Sequence, residues 1–128
     1  MTIIRRAGLS DVEALSELGR ITFTQTFGHL YDPKDLNAFL GKSHSVKAYT
    51  DLLSDPSFAV WIAETGDGKK VGYAAAGPCG LPAPNLPENS GELLRLYLLE
   101  DAKGAGLGAK LLECALDYLR ANFAHVYL

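Results

Sequence analysis

Apolar and polar positions change their period several times along the chain, and each change marks an element. Thr2-Ile3-Ile4-Arg5-Arg6 is short and β-branched ahead of the turn signal Ala7-Gly8-Leu9, which predicts a first strand. From Ser10 the period becomes helical: Val12, Leu15, Leu18 and Thr22 recur on one side, while Glu13, Glu17 and Arg20 mark the wet one. Ser10-Asp11-Val12-Glu13 has the form of a capping box, in which the Ser hydroxyl and the Glu carboxylate satisfy free amides at a helix start. This helix is expected to run to about Phe27. The signals between Gly28 and Ser57 are weaker. Asp32-Pro33 can start a helical turn, Gly41 can stop one, and Val46 to Leu53 reads as a further helix closed by Asp55-Pro56.

The period then shortens. Phe58 to Glu64 and Val71 to Ala76 read as two strands joined through Gly66-Asp67-Gly68, a hairpin. Gly77 to Gly91 holds four of the six prolines and no periodicity, so it reads as a loop longer than most connections. Glu92 to Leu99 is a mostly apolar strand, expected to be central and covered on both faces. A glycine-rich stretch then opens a helix with Leu111, Leu112, Ala115, Leu116 and Leu119 on its apolar stripe and Lys110, Glu113, Asp117 and Arg120 opposite. His125-Val126-Tyr127-Leu128 begins another strand. Domains seldom stop inside an uncovered strand, so the sequence is expected to be a fragment lacking C-terminal elements.

Composition narrows the class. The 128 residues suit one domain, and 48% hydrophobic with 21% charged residues is ordinary globular usage. Twelve Lys and Arg against fifteen Asp and Glu give a net charge of -3. No overall positive field draws the chain to nucleic acid or to anionic lipid, so any phosphate site must be local. No apolar run nears the roughly 20 residues of a membrane span, and the N-terminus is not a signal peptide, so a cytoplasmic location is expected. Cys79 and Cys114 have no CxxC spacing, and His29, His44 and His125 lie far apart, so neither a disulfide nor a metal site is expected.

The chemistry-bearing stretch is Glu100-Asp101-Ala102-Lys103-Gly104-Ala105-Gly106-Leu107-Gly108-Ala109, between the apolar strand and the amphipathic helix. Glycines at alternate positions leave backbone amides open to an approaching group, and the positive end of the helix dipole suits a phosphate or diphosphate. The other reading is a turn whose glycines bring helix and strand close together. A P-loop is excluded, because Gly108 is followed by Ala109 rather than by Lys-Ser/Thr. Gly104-x-Gly106-x-x-Ala109 formally fits a dinucleotide fingerprint. However, four residues separate the strand from its first glycine, and no acid follows at the distance of a ribose.

Lys103-Gly104-Ala105-Gly106-Leu107-Gly108, preceded by Leu94-Arg95-Leu96-Tyr97-Leu98, resembles the Arg/Gln-x-x-Gly-x-Gly/Ala acetyl-CoA loop of the GNAT-type N-acetyltransferase family. The order of elements agrees over nearly the whole chain, and the specific part is about Glu92 to Leu112. The resemblance implies an α/β fold with a mixed, mainly antiparallel sheet flanked by helices and splayed between its fourth and fifth strands. It implies acetyl-CoA as cosubstrate, its pyrophosphate held by the amides of Gly104, Ala105, Gly106, Leu107, Gly108 and Ala109. Lys103 stands where the family has Arg or Gln, which keeps a cation and loses planar bidentate geometry. The main chain of Leu96, Tyr97 and Leu98 would pair with pantetheine as an added strand, with the Leu98 amide as oxyanion donor to the thioester carbonyl.

An alkylammonium acceptor, with a pKa near 10.4, has no lone pair until a base takes its proton. Glu92 occupies a position where some family members carry a catalytic glutamate; it also reads as a polar strand end after Gly91. The family's thiolate-protonating tyrosine lies beyond the fifth strand, so no residue inherits that role, and Tyr97, Tyr118 and Tyr127 read as core or cleft-wall aromatics. Thr22 to Phe27, followed by the helical region to Leu53, resembles the opening of polyamine acetyltransferase-like members, where the first helices wall the acceptor site. There Asp32, Asp35 and Asp51 either attract a cationic amine or are merely solvated. The expected function is acetyl transfer to a primary amine, on a small molecule or peptide, by direct attack in a ternary complex. The alternative is a noncatalytic CoA-binding or interaction module. The open strand at Leu128 further implies a homodimer through the sheet edge.

Overall fold

The computed structural model describes residues 2–79, 89–104 and 106–128. The elements are β1 (Thr2–Arg6), α1 (Val12–Phe27), α2 (Pro33–Ser43), α3 (Val46–Ser54), β2 (Ala59–Thr65), β3 (Lys70–Pro78), β4 (Ser90–Leu98), α4 (Leu107–Asn122) and β5 (His125–Tyr127). The sheet order is β1-β2-β3-β4-β5; the first three pairings are antiparallel and β4–β5 is parallel. This is the mixed, mainly antiparallel α/β architecture expected.

Two layers of helix cover the sheet because each strand presents a different set of apolar residues to each side. Val60, Ile62 and Tyr73 point to the side of α1 and α3, whereas Trp61 and Leu98 point to α4. Ala74, Ala75 and Ala76 fill the middle of β3, wholly buried, and their small side chains let both layers lie close. Leu107, Leu111, Ala115 and Leu119 form the buried stripe of α4, each leucine contributing about 1.5–3 kcal/mol of burial. The expected Leu112 and Leu116 flank that stripe, half-buried.

Four local expectations differ from the structure. Ser10 does not cap α1. A 3-10 turn over Leu9–Asp11 comes first, and the Asp11 carboxylate accepts from the Gly8 N–H at 2.9 Å. Arg5, at the end of β1, reaches the same carboxylate with two bonds of 3.0 and 2.8 Å, a bidentate pair unavailable to Glu13 on the wet side. The Arg5 hydrogen bonds hold the Asp11 carboxyl down at about 2. Gly41 does not stop α2, which continues to Ser43. One exposed glycine costs a helix only about 1 kcal/mol, and continuing past it carries the chain to buried His44 at the helix end.

The connection between β3 and β4 is shorter than Gly77 to Gly91. Both glycines belong to strands, and Cys79 N–H donates to Ser90 O at 2.9 Å. They are small because neighbours crowd them. A Cβ on Gly91 would sit 2.5 Å from the Phe123 ring, and one on Gly77 would overlap Phe58. The prolines at 82, 84 and 87 lie outside the described residues. Finally, β4 is not covered on both sides along its length. Its register with β5 comprises Ser90↔His125, Gly91↔Val126 and Glu92↔Tyr127, and Glu92 to Leu98 are half-buried.

Candidate acetyl-CoA and acceptor site

The glycine loop is built for two different purposes. Gly104 and Gly106 have φ of +92° and +78°, a left-handed backbone that L side chains rarely adopt. A Cβ on either would meet nothing within 4 Å, so both main chains border open space. Gly106 is the N-cap of α4, and the first N–H groups of that helix, from Leu107 to Ala109, have no partner within it. Gly108 instead serves packing: its Cβ would lie 3.3 Å from Leu98 Cδ1. Open space beside the main chain and close helix–strand packing thus occur at different glycines of the loop. Lys103 pairs with Glu100 at 3.1 Å, both half or more exposed, an interaction worth little in water. Ala105 lies outside the described residues.

Beside the loop runs the uncovered part of β4. Leu99 N–H donates to Val71 O at 2.9 Å, and Tyr97 pairs with Tyr73, so these peptides face β3. Alternation along a strand turns the N–H and C=O groups of Leu96 and Leu98 the other way. Among the described residues no strand lies beside that edge past Glu92. Two outward peptides and a helix mouth with open glycines therefore adjoin, the shape a chain-like amide ending in a diphosphate would fill.

A β-bulge decides what stands on the flanks. The β3–β4 register steps from Ala75↔Arg95 to Ala76↔Leu93 and Gly77↔Glu92, so Leu94 is the extra residue. Because Ala75 and Gly77 share a face, Glu92, Arg95 and Tyr97 also share one, opposite α4. The contact of Gly91 with Phe123 and Leu119 of the α4 side agrees. Glu92 is half-buried and Arg95 likewise.

Arg95 leads into a buried polar cluster that spacing alone does not reveal. Its Nη1 donates to Tyr49 Oη at 2.9 Å and its Nη2 to Ser43 O at 3.3 Å, and the guanidinium lies over the Tyr49 ring. Tyr49 Oη also bonds Tyr73 Oη at 2.6 Å and His44 Nδ1 at 2.8 Å. Ser16 Oγ donates to His44 O at 2.6 Å, so α1, the α2–α3 junction and β4 meet at one point. Burial, then the charges of Arg95 and Arg20, lowers His44 to about 4, and burial pushes both tyrosines up. In this cluster His44 is a neutral, hydrogen-bonding residue.

The other candidates stand apart. Phe23 packs with Phe27, Tyr31, Phe39 and His44 in an aromatic group between α1 and α2. Asp32 and Asp35 are exposed at the start of α2, and Asp51 pairs with Lys47 at 2.9 Å. Both cysteines are half-buried and free, and burial raises the Cys114 thiol. Among the described residues no group of His, Cys, Asp and Glu suits a metal, and no helix is long and apolar enough to cross a membrane.

The end of β4, the glycine loop and the mouth of α4 thus adjoin. The chain belongs to the acetyltransferase (GNAT) family, whose model matches residues 20–128. An uncharacterized N-acetyltransferase of Archaeoglobus fulgidus is 31% identical over 117 residues, 90% of this chain and 71% of that protein. Two solved structures share the fold. The PaiA N-acetyltransferase of Thermoplasma acidophilum, in complex with coenzyme A, has a TM-score of 0.77 at 21% identity, over 94% of this chain and 73% of that one. A GCN5-related N-acetyltransferase of Ralstonia eutropha has a TM-score of 0.76 at 20% identity, over 100% and 82%. The protein is an acetyl-CoA-dependent N-acetyltransferase.

Proposed function

We propose that this chain transfers acetyl from acetyl-CoA to a primary amine by direct attack, with both substrates bound together. The observation that carries the reading is the adjacency of three features: left-handed Gly104 and Gly106, the N-terminus of α4, and the peptides of Leu96 and Leu98 turned away from β3. The amides from Gly104 to Ala109 hold the diphosphate, aided by the helix dipole. Leu96 and Leu98 hydrogen-bond the pantetheine amides as a neighbouring strand would. The peptide of Tyr97 is turned to β3, so within this reading its contribution is its ring in the cleft wall. The Leu98 N–H donates to the thioester carbonyl, and that bond strengthens as negative charge develops on the oxygen during attack.

Glu92 receives the proton the amine must lose through intervening water, because five paired residues, about 17 Å of strand, separate it from Leu98. It stands near the start of β4, on the face shared with Arg95 and Tyr97. Removing the base without changing size, as Glu92→Gln does, should lower kcat about hundredfold or more while leaving acetyl-CoA affinity near wild type. Calorimetric titration with CoA, together with thiol release on a panel of primary amines, tests the whole reading. Binding with turnover that Glu92→Gln abolishes supports it. Binding without release from any amine identifies a noncatalytic CoA-binding module, and unchanged turnover in the variant removes Glu92 from the role.

A further inference from the structure

Arg95 directly follows Leu94, the extra residue of β4, and it pins the strand there. Its half-buried guanidinium is held on the side of α1 and α3 by Tyr49 Oη, Ser43 O and the face of the Tyr49 ring, and Tyr49 is held in turn by Tyr73 and His44. Among the described residues no carboxylate pairs with it. A half-buried cation with only neutral partners is a poor source of stability, because apolar residues of similar volume do as well or better in such places. What such a residue can supply is a choice between alternative packings, as a buried polar group does when it fixes the register of a coiled coil.

The choice at Arg95 is between two registers of β4. Before the bulge Ala76 pairs with Leu93; after it the pairs are Ala75↔Arg95, Ala74↔Leu96 and Tyr73↔Tyr97. Were β4 to run on from Leu93 without an extra residue, Leu94 would stand opposite Ala75, Arg95 opposite Ala74 and Leu96 opposite Tyr73. A slip of one residue turns every side chain to the other face. Leu94, Leu96 and Leu98 are apolar and suit either face, but Arg95 does not. Ala74 pairs with Trp61 on the α4 side, where the buried side chains of the helix are Leu107, Leu111, Ala115 and Leu119 and offer a guanidinium no acceptor. A cation buried there without partners is far more costly than one hydrogen-bonded by Tyr49 and Ser43.

The same slip would exchange the peptide groups. In the observed register Tyr97 and Leu99 face β3, and Leu96 and Leu98 face away. One residue of slip turns Leu96 and Leu98 to β3 and withdraws both from the edge. We infer that Arg95 is a positioning residue: its cation finds partners on one side of β4 only, which selects the bulged register and keeps the Leu96 and Leu98 peptides turned away from β3. The inference rests on the proposed pairing of those peptides with pantetheine and names what holds them in phase. The requirement is for charge more than for shape.

Three measurements on the full chain separate these points. Amide hydrogen exchange by NMR without coenzyme reads the register, calorimetric titration with CoA reads the edge, and thermal unfolding reads stability. In the wild type Tyr97 and Leu99 should be protected, with Leu98 exchanging about tenfold faster or more. Arg95→Met, unbranched and apolar, should unfold at or near the wild-type Tm. It should lower the protection of Tyr97, raise that of Leu98, and weaken CoA binding about tenfold or more as two backbone hydrogen bonds are lost. Arg95→Lys keeps the charge without the planar fork, so it should keep the wild-type exchange pattern and a CoA affinity within about threefold, which a role resting on the fork alone would not allow. Arg95→Gln, also neutral, takes the place of the Met variant if that one does not fold. A wild-type exchange pattern in the neutral variant overturns the inference, as does a Lys variant that behaves like the neutral one. A changed exchange pattern with unchanged CoA affinity supports the register role of Arg95 while refuting the pairing of Leu96 and Leu98 with the coenzyme.

Discussion

Replacing Gly106 by alanine separates what the backbone requires from what the coenzyme requires. Gly106 has φ of +78°, and an alanine held there costs about 1–2 kcal/mol. No packing strain adds to this, since the new Cβ meets nothing within 4 Å. For a chain of this size the loss lowers Tm by about 4 °C per kcal/mol. The same Cβ enters the space in which a diphosphate would lie. If it also turns one N–H away, the lost charge-assisted bond is worth about 1.5–3 kcal/mol, or about ten- to hundredfold in Kd for CoA.

Gly108→Ala is the matched control. Its Cβ would sit 3.3 Å from Leu98 Cδ1, the movable end of a side chain, and alanine gains about 1 kcal/mol of helix propensity. Stability should stay near wild type, and CoA affinity should fall less than in Gly106→Ala. Differential scanning calorimetry and isothermal titration with CoA measure the two quantities on each variant. A folded Gly106→Ala protein that binds CoA like wild type would refute the assignment of this loop, as would Gly108→Ala proving the more damaging of the two.

Gly19→Ala should destabilise by about 2–3 kcal/mol in urea titration, because its Cβ would overlap Tyr49 Oη and lie 2.5 Å from His44 Nδ1, both locked in the buried cluster. Asp11 titrates at about 2 in the folded chain against an ordinary 3.8. The stability it contributes is therefore present above about pH 4 and lost as pH falls towards 2. That loss is about 1–2 kcal/mol once the exposure of Arg5 is allowed for. Asp11→Asn should flatten this part of the stability–pH curve, and an unaltered slope would remove Asp11 as its source.

The parts legible in the sequence are those whose physics is local. β1, α1, the hairpin and α4 follow from periodicity, because each buries one stripe or face and its residues repeat accordingly. The glycine loop is legible because a left-handed φ next to a helix start leaves a compositional mark, Gly104 and Gly106. The buried cluster leaves none. Tyr49 meets Tyr73 across 24 residues and Arg95 across 46, and each of these residues has an ordinary alternative role on its own element. Gly77 and Gly91 mislead for the converse reason. Glycine next to prolines reads as turn, whereas here neighbouring rings leave no room for a Cβ inside a strand.

The bulge in β4 is the case where the strand period itself misleads. A count by twos places Glu92 with Leu94, Leu96 and Leu98 on the α4 side, and Arg95 with Leu93 on the other. One unpaired residue resets the parity, so Leu93 moves to the α4 side while Glu92 joins Arg95 and Tyr97. Glycine often advertises a bulge, but Leu94 is a leucine among leucines and adds no signal. The Glu92 carboxylate and the Arg95 guanidinium thus face the same way because of a single extra residue. On that side, away from α4, Tyr49 and the Ser43 carbonyl hold the guanidinium in place.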